Sequence, residues 1–432
     1  MIKVQEMVAA LLPKFKQLAH FFTRQGLAVG ANLLYGLLCV RALGVQEYAK
    51  FAVLFGFMGT LTFLLDAGVS NTLTPLVGER IQDLKLIADC VAAIRRVAFY
   101  SYLIVAPIAG VILTLIVQRQ HWGATVVAEM IGVLLATAWF SRVNANYGLA
   151  LVVLRDRNYY YRVQMMGAVG ALALLGTSLA LHRFNIYVGI LLNVAQTIFM
   201  GTLNYRRVRK LLGTGGRALP HLQRAILRLA VPNLPNTLFY AVQGQITLTL
   251  IVIFGRTTGV ADIGALSRLS QIFVIFNQVN LILVEPFFAK LPVARLKQHY
   301  LLAIAAAASC CALFSGLAFS FPGIFLWLLG PKYYELRAEA GLVILGGSCA
   351  YMYGFMWLIH TSRRFIYWWT TVANIALVVL VEIFFILQYD LSSVRNVLKM
   401  NIATGLASVL VTVACGVYGF WRGPRSIEMH AS

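Results

Sequence analysis

MIGVLLATAWFSRVNANYGLALVVL, residues 130–154, is apolar over enough length to cross a hydrocarbon core of ~30 Å as one helix, yet it holds Arg142 well inside it. Further apolar runs flank it on both sides, centred on residues 25–41, 51–73, 97–117, 164–181, 186–203, 231–254, 263–287, 300–320, 340–360, 366–388 and 399–420. Twelve such runs in a chain of 432 residues, 60% of them hydrophobic, leave little outside a membrane. The expectation is an all-α polytopic membrane protein of about twelve transmembrane helices.

Laid against these runs, the cations sort by side. The chain has 36 Lys and Arg against 15 Asp and Glu, a net charge of +21. With a cytoplasmic N-terminus, twenty-five of the cations fall in inner segments and nine in outer ones. An inner excess of Lys and Arg is what membrane insertion selects, and a register shifted by one span would scramble the split. Both termini are therefore expected in the cytoplasm. Topology and attraction to anionic inner-leaflet lipids account for the net charge, with no nucleic-acid partner required.

The expected organisation is a cytoplasmic or interfacial segment 1–20, an N-lobe 21–204 of six spans, a basic cytoplasmic linker 205–228, a C-lobe 229–421 of six spans, and a tail 422–432. Residues 1–20 carry Pro13, Lys14 and Lys16, show no cleavable signal, and read as a short interfacial helix. Setting Gly44 on Gly259 places Val45 on Val260 and Glu47 on Asp262, a short internal match. Six spans per half is an even number, so the two halves would enter the membrane in the same orientation. Gly26 and Gly30 form a GxxxG in the first span, read as a close-packing site. The six cysteines lie in spans or an inner loop, so no disulfide is expected.

Several chemistries lack their motifs. There is no GxxxxGK[ST], since Gly213-Thr214-Gly215-Gly216-Arg217 has the wrong spacing, and the seven histidines show no paired metal-ligand spacing. No GxSxG and no carboxylate pair set for glycosyl chemistry are present. No cofactor and no metal are expected, and the weight moves from enzyme to transporter.

The informative residues are polar groups inside spans. An arginine near the bilayer centre costs at least ~2.5–3.5 kcal/mol on insertion scales, so one that persists faces a cavity or a partner. Arg142 and Arg268 are the two cations left within spans, and Asn146 follows Arg142 by one turn. At 100° per residue, Gln271 and Gln278 of the eighth span fall on the Arg268 face. In the seventh span Asn233, Asn236, Tyr240, Gln243 and Thr247 project within an arc of about 80°. The first span repeats the pattern with Arg24, Asn32 and Tyr35. One reading has these groups line a water-filled cavity, with guanidiniums on an anion and amides and tyrosines on sugar hydroxyls. The other has amides join helices and arginines pair with buried acids. Intramembrane acids are Asp66, Glu129, Glu285 and Glu382, each a candidate to carry a proton or sodium ion or to form an ion pair.

At ALGVQEYAKFAVLFGFMGTLTFLLDAGVSNTL (42–73) the chain resembles the polysaccharide flippases, the Wzx-type members of the multidrug/oligosaccharidyl-lipid/polysaccharide (MOP) exporter superfamily. ALVVLRDRNYYYR (150–162), VEPFFAKL (284–291) and FLWLLGPKYYEL (325–336) match further family patterns in order, although Ala49 and Ala67 depart from the usual residues. The resemblance implies two six-helix bundles in a V and alternating access of a central cavity. It also implies translocation of an undecaprenyl-diphosphate-linked oligosaccharide, such as an O-antigen, capsule or exopolysaccharide unit, across a bacterial inner membrane. Membrane lipids, a proton or sodium counter-ion, and polymerase and chain-length proteins of the same pathway would be the partners. Superfamily members specialised for lipid II typically carry fourteen spans, and twelve argue against that branch. The alternatives are a multidrug cation antiporter of the same superfamily, whose cavity should be acidic and aromatic, and a membrane-embedded polymerase, for which the outer loops are short.

Overall fold

A computed structural model describes residues 25–422 apart from 67, 70–71, 78–81, 119, 121, 214, 232–233, 364 and 366. The expected interfacial segment 1–20, Arg24 and Asn233 lie outside the described residues. The chain is all-α, and ten of the described helices are long and apolar enough to cross a membrane. Helix α1 (25–42) and helix α9 (Leu234–Phe254) coincide with the two remaining apolar runs.

The chain divides into two compact units, residues 1–246 and 247–432. In the first, α1 is followed by α2 (Val45–Asp66), the short α3 (Leu73–Val77), α4 (Leu84–Gln118), α5 (Ala124–Val153), α6 (Arg157–Ala180), α7 (Ile186–Leu212) and α8 (Pro220–Ala230). Helix α5 is its centre, packed on α2, α4, α6 and α7. Small residues allow the close approach: Gly201 of α7 lies where a Cβ would come 3.2 Å from the Phe140 carbonyl of α5.

The second unit follows the same plan. It contains α10 (Thr257–Ser270), α11 (Ile272–Val279), α12 (Glu285–Lys290), α13 (Val293–Ser320), α14 (Pro322–Leu329), α15 (Arg337–Ser362), α16 (Trp368–Gln388) and α17 (Val394–Arg422). Its centre is α15, which packs on α10, α13 and α17. In both units the fourth span of six thus gathers the second, third and sixth. This internal similarity is stronger than the short sequence match, and it moves the alignment. The break between α9 and α10 falls at Gly255–Arg256, while Gly259 already lies in α10, so the Gly44–Gly259 pairing is off by about one turn.

Two further expectations are revised. The eighth span is irregular: α10 ends at Ser270, Gln271 keeps helical backbone angles in a single turn before α11, which ends at Val279, and a π-helical stretch at Asn280–Val284 leads into α12. Pro286, near the start of α12, has no N–H to donate to the preceding turn, which favours the wider π register there. In α1, a Cβ on Gly26 or Gly30 would meet nothing within 4 Å, so the GxxxG is not a contact site among the described residues. Packing instead runs through Ala28 and Ala31 against Ala168 of α6. In the basic segment 205–228, α7 continues to Leu212 and α8 starts at Pro220. Gly213 ends α7 at a φ of 71°, a conformation glycine adopts without a Cβ penalty, and its N–H reaches the Arg209 carbonyl at 2.9 Å.

Local caps fix some boundaries. Asn185 precedes α7 in an extended conformation and its side chain accepts from the Val188 N–H at 3.0 Å. Asn185→Ala should lower stability by about 1 kcal/mol, read as a lower midpoint of thermal unfolding in detergent. Between α16 and α17, the Asp390 carboxylate accepts from both the N–H and the hydroxyl of Ser392, which holds it below the usual carboxylate range.

Candidate functional site: buried polar groups within each unit

Arg142 sits on α5, which packs on α2, α4, α6 and α7, and is 1% exposed. Its Nη1 donates to Asp66 Oδ1 at the last residue of α2, forming an ion pair whose carboxylate keeps 29% side-chain exposure. Of the two readings of Arg142, the structure realises the paired one. In this conformation the guanidinium does not face an open cavity. Asn146, one turn further along α5, is also buried, at 7% exposure.

Two residues along a helix turn the side chain by about 200°. Asn144 therefore points away from α2 and meets α6 and α7, where its Oδ1 accepts from Gln164 Nε2 at 3.3 Å and Asn204 Nδ2 at 2.8 Å. A second amide pair links α7 to α1, with Gln196 Nε2 donating to Asn32 Oδ1 at 3.1 Å. The Tyr35 hydroxyl, also on α1, donates to the Gly189 carbonyl of α7. Asn32 and Tyr35 thus join helices in this conformation. Asn236 lies in α9, where Tyr240, Gln243 and Thr247 are half-buried.

In the second unit Arg268 is half-buried at the end of α10, and Gln271 follows in the single turn before α11. Gln278 is half-buried in α11, beyond that turn. Glu285 opens α12 half-buried, and Glu382 is 7% exposed on α16, on the face that also buries Asn374 and Val378. Glu129 is exposed near the outer start of α5. Among the described residues no group of His, Cys, Asp and Glu converges as a metal site.

Several polar residues were not singled out by the sequence. Asn280, in the π-helical stretch, donates to the Tyr351 hydroxyl at 3.0 Å beside the rings of Phe273 and Phe276. His360, fully buried, has its Nε2 2.8 Å from the Tyr300 hydroxyl. Gln196 and Asn280 lie within apolar runs, and Asn204 just beyond the end of one, so the signal that flagged Arg142 was present for them too.

The class that this architecture defines is a polytopic all-α fold, two units each built on a central fourth span. Solved structures with it include a multidrug resistance MATE family transporter of the MOP superfamily in an inward-facing conformation, at TM-score 0.60 and 16% identity over 91% of this chain and 93% of that one. The lipid II flippase MurJ in an inward closed conformation matches at TM-score 0.66 and 12% identity, covering 92% and 87%. A eukaryotic MATE transporter matches at TM-score 0.58 and 12% identity, covering 93% and 97%. The chain therefore shares the fold of these structures, and its ten long apolar helices are those of a multi-pass membrane protein. No protein-family profile and no curated protein sequence matches it.

Proposed function

We propose that this protein is an alternating-access flippase of a bacterial inner membrane whose cargo is an anionic, diphosphate-linked oligosaccharide lipid. The observation that carries the choice of cargo is the Asp66–Arg142 pair. A cavity for organic cations needs an available carboxylate. Here the acid at the inner end of α2 is already neutralised, and Glu129 stands exposed at the outer start of α5. Arg268 and Gln271, half-buried at the end of α10, suit phosphate oxygens and sugar hydroxyls. The fold shared with MurJ, a lipid II flippase by its published description, supports a lipid-linked cargo.

In this reading Arg268 and Gln271 of the second unit face the cargo, while Asp66 carries the coupling proton. Protonation of Asp66 would remove the partner of Arg142 and release the guanidinium. Glu382 and Glu285 are the corresponding candidates in the second unit. An efflux reading rests on a different observation, the ring cluster of Phe273, Phe276, Phe314 and Tyr351 in the second unit.

The test uses proteoliposomes of the full chain, comparing flipping of a fluorescent polyprenyl-diphosphate glycolipid with efflux of a fluorescent organic cation. Glycolipid flipping should fall at least about tenfold in Arg268→Ala, the loss of one charge-assisted phosphate contact. Cation efflux without glycolipid flipping would overturn the reading. Flipping that ignores both proton and sodium gradients would remove the coupling role of Asp66.

A further inference from the structure

At the inner end of the first unit, α4, α5, α7 and the segment after α7 line an open cavity of about 220 Å³. Arg95 of α4 and Arg209 of α7, both exposed, line it together with Tyr147, Tyr205, Gly213 and Gly216. Arg95 lies against the Tyr147 hydroxyl, and the two tyrosine rings meet edge to face at 5.1 Å. Neither arginine has a carboxylate partner among the described residues. The nearby carboxylates are engaged elsewhere: Asp156 accepts from Arg207 Nε at 2.7 Å, and Asp89 accepts from the Arg217 N–H at 2.6 Å.

That last bond also builds the rim. It pins the segment after α7 onto α4, and Gly216 presses so close that a Cβ there would come 2.5 Å from the Ala88 carbonyl. The cavity is therefore a formed feature, with two cations converging on one space. Two guanidiniums around a polar cavity are the chemistry of a phosphate site.

The neighbouring helix points to the source of the phosphate. Helix α8 packs on α4 through Leu222 and Ile226, while Leu227, Arg224 and Arg228 face outward. Exposed apolar and cationic residues on one short amphipathic helix are those of an element lying at the headgroup level of an anionic leaflet. We propose that the Arg95–Arg209 cavity is an inner-leaflet site for the phosphate of an anionic lipid, and that its occupant holds the segment after α7 against α4. This site does not depend on the cargo assigned above.

The experiment measures phosphatidylglycerol binding to the full-length protein in mixed micelles, by native mass spectrometry and by the shift in thermal unfolding, with phosphatidylcholine as the uncharged comparison. Wild type should retain phosphatidylglycerol and unfold at higher temperature in its presence. Arg95→Gln and Arg209→Gln should each weaken retention about tenfold, the double variant should lose it, and Lys297→Gln, an exposed inner cation of the second unit, should leave it unchanged. Tyr147→Phe should keep the fold and weaken binding less than either arginine change. Wild-type retention by the double variant would overturn the site. Inorganic phosphate that binds alone with the same arginine dependence, while phosphatidylglycerol does not, would overturn the lipid assignment.

Discussion

Arg142→Ala should destabilise the first unit by about 3 kcal/mol and abolish transport, because it removes the guanidinium that pairs with the Asp66 carboxylate and leaves its volume vacant. Removing one partner of a buried ion pair costs roughly 3–5 kcal/mol, most of it from the charge left behind. The lower end applies because Asp66 keeps 29% side-chain exposure and regains some hydration. The paired replacement Arg142→Met with Asp66→Leu removes both charges at similar volume and should recover most of the unfolding midpoint while leaving transport absent. Unfolding in detergent and flipping in proteoliposomes read the two effects separately. A double variant that also regained flipping would reduce the pair to packing alone and sink its coupling role.

Asn144→Leu should cost about 2–3 kcal/mol, the desolvation penalty of two amides deprived of their acceptor. Asn204 is fully buried and donates to Asn144, so it would keep an unsatisfied N–H in an apolar setting. Gln164 is less affected, since its bond is longer at 3.3 Å and only partly buried. Adding Asn204→Leu should return part of the loss, since two apolar side chains can pack where one stranded amide cannot. The cycle closes on the unfolding midpoint. An Asn144→Leu protein as stable as wild type would show that water already serves Asn204.

These two expectations rest on contacts that the chain order hides. Asp66 and Arg142 are 76 positions apart, Asn32 and Gln196 164, and Asn144 and Asn204 60. Arg142 stood out because an arginine in an apolar run is costly wherever it points. Its partner did not, because Asp66, Glu129, Glu285 and Glu382 all lay in or beside apolar runs. Only the packing of α2 on α5 chose among them. The Arg95–Arg209 cavity was hidden for the opposite reason. Both residues were counted among the inner cations, and a topological explanation for a charge says nothing about which other charge it meets.

Helical projection assumes a regular helix. Tyr240, Gln243 and Thr247 share α9, whereas the Arg268–Gln278 projection runs across the turn at Gln271. The π-helical stretch before Pro286 depends on how several turns compete for backbone donors, so a fixed angle per residue misses it.

Composition and the order of apolar runs were enough to establish the spans, their number and the sidedness expected of them, because membrane insertion responds to the hydrophobicity and flanking charge of each ~20-residue stretch on its own. Which buried polar groups meet, which stand ready for a ligand, and where a span breaks were decided only when the helices packed. Helix rotation and neighbour choice bring distant positions together, and burial in a low-dielectric interior sets the cost of leaving any one of them without a partner.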